Sequence, residues 1–137
     1  MLAQTLIAAS AAIILLLGVV HLVYTFTSNK FSPRDQELEA RLKLISPIIS
    51  KETTMWKAWV GFNASHSMGA ILFGAVYGYL AIFHYSFLLQ SNFLAFLGAL
   101  LLVGYLVLGK LYWFSVPFRG IALASVLYVL GFAIALA

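Results

Sequence analysis

The chain has 137 residues, of which 64% are hydrophobic and 9% are charged, and its formal net charge is +4. A soluble domain ordinarily carries about 25% charged residues, so this composition excludes an ordinary soluble domain and indicates an integral membrane protein. The lack of cysteine excludes disulfide scaffolds, thiol redox chemistry and cysteine-ligated metals. Lys and Arg form no cluster on a soluble face, so we expect no nucleic-acid partner.

Four apolar segments are long enough to cross a bilayer, which takes about 20 helical residues. We predict transmembrane helices at about residues 2–27, 53–85, 93–113 and 117–137. The first is a retained helix rather than a signal peptide, because no Lys or Arg precedes its apolar run and that run is too long. Pro117 begins the fourth as a first-turn proline. The segments use almost the whole chain, so we predict an all-α membrane protein with a single domain, a four-transmembrane-helix bundle over residues 1–137.

The loop from Ser28 to Glu52 is the only sizeable piece outside these helices. Ser32-Pro33-Arg34-Asp35 has the pattern of an N-cap, a first-turn proline and an acidic first turn. Apolar residues then recur at helical spacing among charged ones: Leu38, Leu42 and Ile45. This pattern predicts a short amphipathic cytoplasmic helix at about residues 33–46, lying on the membrane surface between the first two spans. A helix that docks on a partner would have the same pattern.

The charged side chains are confined to one side of the predicted bundle. The eight Lys and Arg and the four Asp and Glu all fall in two windows, Lys30 to Lys57 and Lys110 to Arg119. The first and third helices end in these windows, and the second and fourth begin there. An excess of Lys and Arg marks cytoplasmic loops. We therefore predict a multi-pass protein of the cell inner (plasma) membrane, with cytoplasmic loops and with both termini outside.

Small residues follow the second helix in two rows at four-residue spacing: Gly61, Ser65 and Gly69, then Ala70, Gly74 and Gly78. Small side chains let helix backbones approach closely in lipid, where van der Waals contact drives association. The two rows point to different sides of the helix. We therefore predict that this helix packs against at least two neighbours.

The same helix carries a polar stripe. Trp59, Asn63 and His66 fall within about 60° of one another around an α-helix. His66 lies roughly 14 Å from Lys57 along the axis, inside the hydrocarbon, where an unsatisfied amide or imidazole costs several kcal/mol. His21 on the first helix lies at a depth close to that of Asn63. Since the two helices are antiparallel, we predict that these side chains face each other.

These residues predict a polar pocket in the cytoplasmic half of the bundle. We expect it to be lined by His21, Asn63 and His66, with other residues nearer its mouth: Tyr24, Trp59, Tyr105, Lys110 and Arg119. Three interpretations of the histidine pair stay open. The histidines could fix helix register by a hydrogen bond, form a ligand pocket or proton relay, or hold a haem between His21 and His66. No further ligand at that depth suits zinc or di-iron.

Three classes of function follow from this pattern. The first is non-covalent binding of a lipid-like or amphipathic small molecule. The second is a structural or accessory subunit of a larger membrane complex or of a homo-oligomer. The third is a histidine-dependent lipid-modifying enzyme, with His66 as acid/base and Asn63 as its orienting partner, or a bis-histidine haem protein. Every carboxylate lies in the loop, so carboxylate-driven transport and aspartyl proteolysis are disfavoured.

Several segments carry a resemblance that spans nearly the whole chain: His21 to Phe26, Phe31 to Asp35, Gly61 to Ser67, Tyr112 to Phe114 and Pro117 to Gly120. In these segments the chain resembles a family of small, uncharacterised bacterial four-helix integral membrane proteins. The resemblance implies the four-helix membrane fold and assigns no catalytic residue. The chain does not resemble disulfide-forming membrane oxidoreductases, because those enzymes need cysteines.

Overall fold

The computed structural model describes residues 1–137 and contains six α-helices and no strand. They are α1 Leu2–Thr27, α2 Gln36–Leu42, α3 Met55–Phe83, α4 Tyr85–Gln90, α5 Asn92–Tyr112 and α6 Ser115–Leu136. Four of them, α1, α3, α5 and α6, are long and apolar enough to cross a membrane. The predictions of an all-α fold and of four such helices are confirmed.

The helix in the predicted second segment, at about residues 53–85, is two residues shorter at each end in the structure. α3 ends at Phe83, His84 has non-helical backbone angles, and Tyr85 begins the separate helix α4. Leu88 of α4 is fully buried, and burying it requires the chain to change direction after α3. The sequence carries no Gly or Pro at this break, which is why hydropathy alone did not predict it.

The loop helix α2 is shorter than the predicted 33–46, and its N-cap is Asp35 rather than Ser32. Oδ1 of Asp35 accepts hydrogen bonds from the backbone N–H groups of Glu37 at 2.9 Å and Leu38 at 3.2 Å. A carboxylate at this position satisfies two free N–H groups of the first turn. No residue of α2 is buried within the chain. Its contact with a membrane surface stays a prediction.

Tertiary contacts divide the chain into two compact units, one formed by Met1–Leu17 with Ala70–Ala137 and one by Gly18–Gly69. We call them the first and the second unit. This division does not test the prediction of a single domain.

In the first unit, glycines bring helix backbones together. A Cβ added at Gly74 of α3 would lie 2.7 Å from both the carbonyl oxygen of Ala11 and the backbone nitrogen of Leu15 on α1. At Gly131 of α6 it would lie 2.6 Å from Cγ1 of Ile7. The row that contains Gly74 therefore packs against α1, as predicted, and α6 also approaches α1 closely at a glycine.

Polar side chains of the first unit bind backbone carbonyls across helices. The hydroxyl of Ser10, which is fully buried, donates to the carbonyl of Ala124 at 2.7 Å. Gln4 Nε2 donates to the carbonyl of Ala81 at 2.9 Å, near the end of α3 where carbonyls lack helical partners. No buried side-chain nitrogen or oxygen in the chain lacks a hydrogen-bond partner.

Two tyrosines form a second set of such contacts. Tyr77 of α3 and Tyr128 of α6 donate to the carbonyls of Leu94 at 2.7 Å and Ala95 at 3.0 Å, both on α5. Gly98 of α5 leaves room for the two rings, since a Cβ there would lie 2.8 Å from Cζ of Tyr128 and from Cε1 of Tyr77.

Candidate functional site

The second unit contains a hydrogen-bonded pair between α1 and α3. Nε2 of His21 lies 3.0 Å from Oδ1 of Asn63. Nδ2 of Asn63 donates to the carbonyl of Trp59, one turn earlier on α3, at 2.9 Å. Because that bond uses the amide nitrogen, the oxygen faces His21. An amide oxygen only accepts, so His21 carries its proton on Nε2 and donates it.

The imidazole of His21 lies between two other rings. The ring of Phe31, in the loop after α1, is tilted over it with centroids 4.4 Å apart. The ring of His66 meets it edge to face with centroids 5.5 Å apart. The hydroxyl of Thr25 donates to the backbone carbonyl of His21 at 2.8 Å, one turn along α1. His21 is therefore fixed in orientation by an amide and by two aromatic neighbours.

The loop is tied to α3 by the indole of Trp59. Its Nε1 donates to the carbonyl of Phe31 at 3.0 Å. A continuous set of contacts thus runs from His21 through Asn63 and Trp59 to the start of the loop. Tyr24 lies apart from this set, with Nζ of Lys30 4.6 Å from the centroid of its ring.

A small cleft opens beside these contacts, and we call it the loop cleft. Its lining combines hydroxyl groups, indole rings and the Asn63 side chain: Thr25, Ser28, Phe31, Ser32, Trp56, Trp59, Val60 and Asn63. Its volume is about 20 Å³, which is room for a single water molecule. Sites for whole small molecules have volumes of about 300–1,000 Å³. The cleft as formed therefore fits a group of one or two heavy atoms.

The predicted site residues are divided between the two units. His21, Tyr24, Trp59, Asn63 and His66 belong to the second unit. Three predicted residues belong to the first unit and have neighbours of their own there: Tyr105, Lys110 and Arg119.

Lys110 and Arg119 lie near the charged ends of α5 and α6, and Tyr105 lies about two turns before the end of α5. The ring of Tyr105 lies near that of Trp113, with centroids 6.2 Å apart. Nζ of Lys110 lies 5.7 Å from the ring centroid of Phe118. Arg119 is exposed in the first turns of α6.

Sequence reasoning missed the part that the loop plays at the site. Phe31 and Ser32 line the cleft, but no helical spacing marks a loop residue. Ser67 was also missed: it is fully buried, and its hydroxyl donates to the backbone carbonyl of Asn63 at 2.8 Å. The available signal for Phe31 was that it is the one aromatic residue in the loop from Ser28 to Glu52.

The histidine pair does not fit a haem held between two imidazoles. Edge-to-face contact at 5.5 Å leaves no space for a porphyrin between the rings of His21 and His66. Nε2 of His21 is also engaged by Asn63, and Phe31 lies against the same imidazole. The chain forms no cluster of three or more His, Asp or Glu side chains that could hold a metal ion.

Comparison of the chain with protein-family models, with curated proteins and with solved structures finds no match. The resemblance to a family of small bacterial membrane proteins therefore stays an expectation, and the function has to be argued from the geometry of the second unit.

Proposed function

We propose that the protein crosses the plasma membrane four times, with its charged loops in the cytoplasm and both termini outside. Four helices of sufficient length and apolarity support the crossings. The restriction of Lys and Arg to residues 30–57 and 110–119 supports the orientation. A C-terminal alkaline phosphatase fusion, which is active only outside the cytoplasm, is expected to be active. A fusion in the loop at Lys51 is expected to be inactive, and the reverse pattern would contradict the orientation.

We further propose that the loop cleft binds the polar head of a lipid-like amphipathic molecule. The observation that carries this proposal is the set of residues that line the cleft, in which Thr25, Ser28 and Ser32 stand beside two tryptophans. The hydroxyls of Thr25 and Ser28 already donate to backbone carbonyls, so their oxygens would accept a hydrogen bond from a ligand. Its volume of about 20 Å³ suits a hydroxyl head, which can donate to these oxygens, and is smaller than a phosphate or choline head. The remainder of such a molecule would lie in the bilayer.

The hydrogen bonds around the cleft favour binding over catalysis. Asn63 uses its oxygen for His21 and its nitrogen for the carbonyl of Trp59. The enzyme hypothesis requires Asn63 to orient His66 as well, which neither of these two bonds provides. Groups held in this way form a rigid wall, and a preformed wall reduces the entropy lost when a ligand binds.

The binding proposal is tested with two amphiphiles that differ only in the head. A fluorescent long-chain alcohol is expected to bind the purified protein in detergent, whereas the same chain with a trimethylammonium head is not. Asn63→Leu is expected to weaken binding of the alcohol at least tenfold. Ser65→Ala, on the exposed side of α3, serves as the matched control. Equal binding of both amphiphiles, or no effect of Asn63→Leu, would contradict the proposal. Native mass spectrometry then identifies the molecule that copurifies.

A second candidate function is assembly with another membrane helix. The row Gly61, Ser65 and Gly69 is exposed along α3, and a Cβ added at Gly61 would meet no atom within 4 Å. Exposed small residues at this spacing suit close helix packing. Under this proposal Gly61→Leu would dissociate an assembly that native mass spectrometry detects in the unmodified protein. Retention of the assembly would remove this candidate.

A further inference from the structure

The loop between α2 and α3 presents a run of aliphatic side chains that pack on nothing within the chain. Leu44, Ile48 and Ile49 are 82%, 109% and 92% exposed. We call the segment Leu44–Ile49 the apolar tip. Backbone bonds give it a defined shape: the N–H of Ile45 donates to Arg41 at 3.0 Å, and that of Ser50 donates to Pro47 at 3.3 Å.

The apolar tip is anchored at the beginning of α3. The N–H of Met55, the first residue of α3, donates to the carbonyl of Ile45 at 2.8 Å. Lys43, just before the tip, has its Nζ 5.3 Å from the ring centroid of Trp56. Tryptophan next to the end of a membrane-spanning helix lies at the level of the lipid headgroups. If α3 crosses the bilayer, its first residue holds the tip at that level.

The charges around the apolar tip are mostly basic. Arg41 and Lys43 precede it, and Lys51 and Lys57 follow it, whereas the only acidic residue between 41 and 57 is Glu52. The net charge of residues 41–57 is therefore +3, four basic residues less one acidic. The remaining acidic residues lie at Asp35, Glu37 and Glu39, before this stretch. Basic residues that flank an aliphatic segment suit an anionic lipid surface.

We propose that the apolar tip inserts its aliphatic side chains among the headgroups of the bilayer that α3 crosses, with anionic lipid as the partner of the flanking basic residues. This inference rests on the proposed membrane insertion. It places the main surface contact in the segment that follows α2 rather than on the face of α2. Lipid is favoured over a protein partner because the exposed side chains of the tip are all aliphatic, namely Leu44, Ile45, Ile48 and Ile49, and lie at the end of a spanning helix.

The test uses single cysteines, since the chain has none of its own. An environment-sensitive fluorophore is attached at Ile48→Cys in the tip, at Glu37→Cys in α2 and at Leu16→Cys in α1. Each protein is reconstituted in nanodiscs of phosphatidylcholine, with or without phosphatidylglycerol. Quenching by aqueous iodide is compared with quenching by lipids that carry a nitroxide just below the headgroup.

The label at residue 48 is expected to be quenched by the lipid nitroxide and protected from iodide, with the opposite result at residue 37. If the tip label is quenched by iodide as strongly as the label at residue 37, the inference is overturned. It is also overturned if the tip label is shielded from both quenchers, because a protein surface then covers it. If nitroxide lipids do not quench the label at Leu16→Cys, whatever the depth of the nitroxide, the proposed membrane insertion itself is wrong.

The proposed contact between the flanking basic residues and anionic lipid has its own test. Arg41→Gln combined with Lys51→Gln is expected to raise iodide quenching at residue 48 severalfold in nanodiscs with phosphatidylglycerol and to change little without it. Lys30→Gln, a charge removed away from the tip, is the matched control and is expected to have no effect. An unchanged signal in the double variant would overturn the assignment of anionic lipid.

Discussion

Nε2 of His21 and Oδ1 of Asn63 lie 3.0 Å apart, although 42 positions separate the two residues in the chain. The bond joins the last third of α1 to the first third of α3. Both partners are oriented by other contacts, His21 by Phe31 and Asn63 by the carbonyl of Trp59. The pair therefore fixes the register of the two helices beside the loop cleft.

Removing one partner should destabilise the protein. Asn63→Leu is expected to lower the free energy of unfolding by about 1–2 kcal/mol, because interhelical hydrogen bonds in membrane proteins contribute about 0.6 kcal/mol on average and up to about 1.7. The imidazole also loses the acceptor for its proton. The measurement is equilibrium unfolding in mixed detergent micelles.

A double-mutant cycle with His21→Leu isolates the pair. The double variant is expected to lose less than the sum of the two single losses, because the shared bond can be lost only once. Ser65→Ala serves as the control, since that hydroxyl bonds only to the carbonyl of Phe62 on its own helix. If the two losses of unfolding free energy are additive, the bond between His21 and Asn63 contributes nothing to stability.

Gly74→Ala is expected to be among the most destabilising single-methyl changes in the chain. The added Cβ would lie 2.7 Å from backbone atoms of Ala11 and Leu15, and backbone cannot move aside as a flexible side chain can. Overpacking of this kind costs about 1–3 kcal/mol. Gly61→Ala on the same helix meets nothing within 4 Å, so it is expected to be neutral or slightly stabilising. Equal unfolding free energies for the two variants would contradict the close approach of α3 to α1.

The sequence predicted the four long helices because their apolar runs are long and end at charges or at polar turns. It located the ends of α1 and α5 within one residue. It placed the end of the second segment two residues late, at a break that has no Gly or Pro. It also placed the N-cap of α2 three residues early, because Ser32 and Asp35 both suit a cap and composition does not choose between them.

The candidate site was predictable where it depends on helical spacing and depth. Those two quantities brought His21, Asn63 and His66 into one group, which the structure also brings together. They could not predict Phe31, since the path of a loop depends on tertiary contacts such as the bond from the indole of Trp59.

The pKa of Glu39 should depend on Lys43. The hydrogen bond from Nζ of Lys43 to Oε1 of Glu39, at 2.6 Å, lowers the pKa of this carboxyl, and the positive charge acts in the same direction. A carboxyl with a lowered pKa stabilises α2 above its ordinary pKa, and this contribution is lost as the pH falls through the lowered value. Lys43→Gln is therefore expected to raise the pKa of Glu39 in an NMR titration, and Lys51→Gln is not. An unchanged pKa in Lys43→Gln would contradict the pair.

Gly98 and Tyr128 should be energetically coupled. Gly98→Ala places a Cβ nearest to the hydroxyl of Tyr128, with Cζ of Tyr128 and Cε1 of Tyr77 each at 2.8 Å. We expect it to cost about 1–3 kcal/mol of unfolding free energy, whereas Gly104→Ala, with no atom within 4 Å on the same helix, is expected to be tolerated.

Tyr128→Phe alone loses the bond from its hydroxyl to the carbonyl of Ala95 at 3.0 Å, at a cost of about 0.6–1.7 kcal/mol. In the double variant with Gly98→Ala, deleting the hydroxyl removes the closest obstacle, so the combined loss is expected to be smaller than the sum. The ring atoms still obstruct the new methyl group, and recovery should be incomplete. The free energy of unfolding in micelles is measured for the unmodified protein, the two single variants and the double variant. A Gly98→Ala variant as stable as Gly104→Ala would show that the two tyrosines do not pack against α5 at this point.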